Sequence, residues 1–203
     1  PKKENKKEEL KQIENKNIMR SKFQLQRLVK TNEDIFKTFI TLTFEENVTD
    51  IATANKNFDN WRRSIKRKFC DFKYVCVPEF QKRGAVHYHL LTNLDIKENH
   101  DIIIPQREFT EKQYLKMSEE QRKHCYDVKY WEKGFSSVYP TKNIEVVGYM
   151  TKYMTKDIDN RLWGKRRYLY SQNLKQPSTL YLTLDGEVDI TDFFKYNEML
   201  ENT

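Results

Sequence analysis

The sequence predicts an α+β domain built on one central antiparallel sheet of about five strands with flanking helices. Short β-rich runs alternate with helical patterns in the order β-α-β-β. The second and third runs are separated by a QKRG segment short enough for a hairpin turn. No repeat of fold-defining period interrupts the pattern, so a solenoid or propeller is excluded. With 12 Phe, 12 Tyr and 3 Trp, the 203-residue chain has the aromatic area for a core, and a chain of this size buries roughly 70% of its unfolded surface.

Residues 1–34 are a basic N-terminal arm or helix. The first fifteen are nearly devoid of apolar groups, and helical spacing emerges from Ile18 through Met19, Phe23, Leu25, Leu28 and Val29. The catalytic body is expected over 35–203. It opens with a strand at KTFITLTF, followed by a helix from about Asp50 to Phe69 and strands at FKYVCVPEF and AVHYHLLTNL. A charged stretch, 97–130, reads as an insertion or loop excursion with a short helix near Thr110 to Met117. Beyond it, WEKGFSSVYP suggests a strand or strand-like turn and VVGYMTKYMTKDI a helix. The segments KRRYLYSQ and STLYLTL read as strands and ITDFFKYNEML as a closing helix.

The 37 Lys and Arg against 30 Asp and Glu leave a net charge of +7, which is unevenly spread. Residues 1–30 hold +6, WRRSIKRK at 61–68 holds +5, and residues 152–175 hold +5, so the remainder sums to −9. Such segregation suits a polyanionic partner. Three cysteines without a C-x-x-C pair argue against a disulfide framework or a cysteine zinc site. The apolar runs fall short of the roughly 18 residues of a membrane span, and the Lys-rich start lacks the apolar core of a signal peptide. A cytoplasmic location with no membrane partner is the resulting expectation. Five glycines include no G-x-x-x-x-G-K-[ST], so the chain offers no nucleotide-hydrolysing helicase module.

Chemistry concentrates at two places. In AVHYHLL, His87 and His89 lie two apart, so on a strand both imidazoles share one face while Val86, Tyr88 and Leu90 take the other. An isolated H-x-H is more often a pair of exposed or core-satisfied histidines than a site. Glu79 strengthens it: eight residues upstream and across the expected hairpin, it can bring a carboxylate to the same place. Two nitrogens and one oxygen with open positions suit Mn²⁺ or Mg²⁺ beside phosphate. Strict alternation nonetheless groups Glu79 with Val75 and Val77, unless Pro78 ends the regular pleat.

The second place is GYMTKYMTK. On a helix, Tyr149, Lys152, Tyr153 and Lys156 form one stripe, and Val147, Met150 and Met154 lie on another suited to packing. Aromatic stripes are usually core, but core packing does not account for a lysine beside each tyrosine. A phenol with a pKa of about 10 needs nearby cations or an activated electrophile to act as a nucleophile at neutral pH.

FITLTF at 39–44, then RGAVHYHL at 83–90, then YMTKYMTK at 149–156, in that order, resemble the three motifs of HUH endonucleases. More narrowly, the chain is similar over roughly residues 35–185 to the two-tyrosine rolling-circle replication initiators of single-stranded DNA phages and bacterial plasmids. In conjugative relaxases the tyrosines precede the histidines; here they follow.

The resemblance implies a ferredoxin-like or RRM-like palm with the histidine motif on a central strand and the tyrosines on a helix. It implies His87 and His89 as metal ligands with Glu79 as the third, Tyr149 and Tyr153 as nucleophiles, and Lys152 and Lys156 assisting the phosphate or phenol. Thr41 and Thr43, on one face of the first motif, would contact DNA. Arg62, Arg63, Arg83, Arg166 and Arg167 are further expected contacts to phosphate or stacked bases. The expected activity is nicking of single-stranded origin DNA to give a 5′-phosphotyrosine and a free 3′-hydroxyl, then rejoining. Its cofactor is a divalent metal, Mn²⁺ or Mg²⁺, with no small-molecule cofactor, and its partners are a host helicase and polymerase in the bacterial cytoplasm. A transposase of the same superfamily and a non-catalytic origin-binding or single-strand-binding module are the competing expectations.

Overall fold

The computed structural model describes residues 2–106, 110–118, 121–122, 125–141, 146–155 and 160–178. The elements run α1 (Lys2–Thr31), β1 (Thr38–Phe44), α2 (Ile51–Lys68), β2 (Tyr74–Phe80), β3 (Val86–Thr92), β4 (Ile103–Pro105), α3 (Glu111–Lys116), β5 (Tyr126–Val128), β6 (Gly134–Pro140), α4 (Val146–Thr155) and β7 (Leu169–Tyr170). The strands form one seven-stranded antiparallel sheet in the order β4-β5-β6-β1-β3-β2-β7. Among the described residues no helix is long and apolar enough to cross a membrane.

The α+β class is as expected, and the sheet is larger than the five strands anticipated. The difference comes from 97–130, which supplies β4 and β5 to one edge of the sheet. Such three-residue strands carry too little alternation to be read as a pattern. Thr110 and Gln113 form a reciprocal cap at the start of α3, where a short helix was expected. The strand expected over STLYLTL past its first residue, and the helix over ITDFFKYNEML, lie outside the described residues.

Each face of the sheet has its own core. On one, α2 buries Ile51, Ala54, Phe58, Trp61 and Ile65, a helical stripe, against Ile40, Leu42 and Phe44 of β1 and Val86, Tyr88 and Leu90 of β3. Asp50 starts that helix by accepting the Thr53 N–H at 2.8 Å. On the other face, Leu25, Leu28 and Val29 of α1 and Met150 of α4 cover Phe39, Val75, Val77 and Leu91. The second half of α1 is thus part of the core, whereas Leu10 and Ile13 in its first half are exposed.

Glu79 does share a face with Val75 and Val77, because β2 stays regular through Pro78, which pairs with Tyr88. Pro78 does not end the pleat. Its partner β7 reaches only Val75 and Cys76, so the missing N–H of Pro78 falls beyond the end of that edge strand. The face is divided lengthwise: one half is apolar and covered by α1 and α4, and the other carries the polar residues.

Candidate active site

The register builds the polar half row by row. Thr43 is opposite His87, and His87 is opposite Glu79; Thr41 is opposite His89, and His89 is opposite Val77. Directly paired residues share a face, so Thr41, Thr43, Glu79, His87 and His89 come together as the strand alternation predicts. Tyr88, between the two histidines, points the other way into the α2 core and donates its hydroxyl to Asn55 Oδ1 at 2.7 Å. Burial pushes the pKa of that phenol upward.

Glu79 Oε2 and His89 Nε2 are 2.7 Å apart, with both side chains almost buried. On the other side of the ring, His89 Nδ1 lies 3.4 Å from the Thr41 hydroxyl. The His87 ring stands 6.3 Å from that of His89, centroid to centroid, and its Nε2 is shielded from solvent. These are the donor types of a divalent-cation site, and their backbones are in register for one. As placed, the side chains form a hydrogen-bonded pair with a neighbour: among the described residues no group of three or more His, Cys, Asp or Glu is gathered closely enough to hold a metal ion.

Tyr149 lies on α4, half-buried against the second core. It reaches the histidines through Phe39, a residue to which the sequence motifs assign no role. The Phe39 ring stacks on His89 at 5.8 Å and meets Tyr149 edge-on at 4.7 Å. Phe39 has the same strand parity as Thr41 and Thr43, and that was the available signal. Lys152 is exposed on α4, and the backbone of Tyr153 lies one turn after Tyr149. Lys156 lies outside the described residues.

The arginines do not converge on this face. Arg62 and Arg63 are on α2, across the sheet, and Arg62 pairs with Asp59 at 2.6 Å. Arg62, Lys66 and Arg166 line a cleft of about 530 Å³ near β7. Arg83 is exposed and ties the β2–β3 turn to the end of β1 by donating to Phe44 O at 2.7 Å. Arg167 is buried and donates to Glu14 of α1, an interior tie rather than a surface contact. A cation not singled out from sequence, Arg161, sits 3.6 Å from the centroid of the Phe80 ring and donates to Gly84 O at 2.9 Å, bracing the hairpin that carries the site.

A curated protein described as the Phasyl DNA replicon protein arp of Escherichia coli is 31% identical over 182 residues. The alignment covers 81% of this chain and 60% of that protein, so the chain spans well under two thirds of its relative's length. No solved structure matches. Residues 37–158, which hold β1, the histidine strand and α4, match the family described as replication-associated protein ORF2. With more than half of its length inside that match, the chain belongs to this family of replication-associated proteins.

Proposed function

We propose that this chain nicks and rejoins single-stranded DNA at a replication origin through a tyrosine nucleophile. The observation that carries the reading is the convergence of Glu79, His87 and His89 on one half of a sheet face whose other half seats the tyrosine helix, with the Phe39 ring touching both His89 and Tyr149. The phenolic oxygen of Tyr149 or Tyr153 attacks phosphorus in line and loses its proton. The bond to the 3′ oxygen breaks, leaving a 5′-phosphotyrosine and, after protonation, a free 3′-hydroxyl. Storing the bond as a phosphotyrosine keeps the step reversible, so a 3′-hydroxyl can later reclaim the phosphate and close the strand. A second tyrosine on the same helix allows a second cut before the first link is released.

His87, His89 and Glu79 would hold a divalent ion, Mn²⁺ or Mg²⁺, exchanging the Glu79–His89 hydrogen bond for coordination. When bound, such an ion polarises the phosphoryl oxygen under attack. The chain's own residues do the rest. Thr41 holds the orientation of His89, Phe39 fixes the Tyr149 ring against the sheet, and Lys152 supplies positive charge beside the phenol. Strand opening and extension fall to a host helicase and polymerase.

Incubation with single-stranded origin oligonucleotides and Mn²⁺ tests this, with the covalent adduct read on a denaturing gel and by mass. The double change Tyr149→Phe and Tyr153→Phe should abolish the adduct; adduct formation by that variant would remove the tyrosine assignment. Excess chelator, or His87→Ala with His89→Ala, should reduce cleavage by roughly 100-fold or more, the scale of lost charge stabilisation at the phosphoryl oxygen. The closed Glu79–His89 pair favours one second reading, a single-strand-binding module without catalysis. A wild-type protein that shifts DNA on a native gel and never on a denaturing one would select it.

A further inference from the structure

Among the described strands, Phe135 is the one aromatic residue that is exposed, at 68%. Its position follows from the register. Phe135 of β6 is opposite Thr43, Thr43 is opposite His87, and His87 is opposite Glu79, so one row crosses four strands on one face. At the usual strand separation, the phenyl ring stands two spacings, ~10 Å, from His87. A phenyl left in water forgoes the burial that ordinarily places aromatic residues inside. The backbone holds it there: Gly134 has φ +151°, and a Cβ at that position would lie 2.3 Å from Thr43 O, so only glycine lets β6 begin against β1 at this point.

We propose that Phe135 is a base-stacking platform for the single strand, its ring packed face to face with a nucleobase a nucleotide or two from the phosphate seated at His87 and His89. The inference rests on the nicking reading and deepens it, by naming the residue that sets how far the strand is advanced across the sheet. Every base has a π-face, so a lone phenyl is tolerant of base identity. It fixes the register of the strand rather than its sequence.

The test is an abasic scan. Binding of single-stranded origin oligonucleotides, each lacking one base at a successive position, is measured by fluorescence anisotropy with the full chain carrying Tyr149→Phe and Tyr153→Phe, so that DNA is held and not cut. One position should stand out, with affinity falling roughly 5- to 100-fold, the range of one base–aromatic stack. Adding Phe135→Ala should cause the same loss on intact DNA and no further loss at that abasic position, while Phe135→Trp should retain affinity. The proposal is overturned if no single position is sensitive, or if Phe135→Ala leaves affinity within about twofold, below the range of one stack. Losses at the abasic position that multiply with that of Phe135→Ala would equally reject it. So would a change of self-association by Phe135→Ala with DNA binding intact, which would mark an interface between copies. The scan on the Phe135-containing protein and the Trp variant keep the test decisive should Phe135→Ala fold poorly. Failure here, with wild-type adduct formation intact, would remove the stacking role alone; absence of any wild-type adduct would instead remove the nicking reading.

Discussion

At the residue scale, similar side chains have opposite fates. Arg166 is exposed at a cleft with Arg62 and Lys66, whereas its neighbour Arg167 is buried against Glu14 and joins α1 to the rest of the fold. Removing one partner of a buried ion pair strands the other charge and costs about 3–5 kcal/mol, while replacing both by apolar residues is often neutral. Arg167→Ala should therefore lose roughly that much stability in urea denaturation and leave the salt dependence of DNA binding unchanged. Glu14→Leu with Arg167→Met should recover most of the loss. An Arg167→Ala protein of full stability and weakened DNA binding would reverse this assignment. His87 and His89 likewise differ: His89 is held by Glu79 on one ring nitrogen and approached by Thr41 on the other, which fixes its plane before any ligand arrives.

At the element scale, α2 determines how well the sheet is backed, since its five buried residues cover the face opposite the site. Its start depends on Asp50, whose carboxylate accepts the backbone N–H and the hydroxyl of Thr53, each at 2.8 Å. The backbone hydrogen bond, followed by the hydroxyl, holds the Asp50 pKa below the usual carboxylate value. A depressed folded pKa contributes stability that is present above the unfolded pKa of about 3.9 and is lost as pH falls through the folded value. Asp50→Ala should thus lower the thermal midpoint at pH 7, with the gap to wild type closing as pH drops below about 4. A gap independent of pH would mean that the carboxylate is not the cap. The basic end of the same helix, Lys66 to Lys68, complements its C-terminal dipole whether or not DNA is bound.

At the scale of the whole molecule, the sheet separates two kinds of charge. The catalytic half-face carries histidines, a carboxylate and threonines, while the cluster Arg62, Arg63, Lys66, Arg67 and Lys68 sits behind it on α2. Binding there is to backbone phosphate and adds affinity without chemistry. Changing Arg63, Lys66 and Arg67 to Gln should weaken DNA binding and flatten the plot of log affinity against log salt, by up to about one unit for each phosphate no longer neutralised. At saturating DNA the rate of adduct formation should stay within about twofold, because uniform binding of the phosphate backbone drops out once the strand is held. A rate loss at saturation would place these residues in the reaction instead.

The parts legible without a structure were those written in short periodicities. The H-x-H spacing and the alternation of FITLTF place His87, His89, Thr41 and Thr43 on one face, and a four-residue spacing places Tyr149 and Tyr153 on adjacent turns of one helix. Strand and helix repeats are local properties of the backbone, so the sequence alone determined them. What tertiary structure decided was everything that depends on which strands are neighbours. Placing β1 between β6 and β3 set Phe135 in the row of His87, and the approach of α4 to the sheet put Phe39 between His89 and Tyr149. The same packing sent Arg167 inward to Glu14 and Arg62 to the far layer, although in one dimension both are merely basic residues in basic runs. Charge counts add along the chain, but a side chain's partners are set by long-range pairing, which no local pattern specifies.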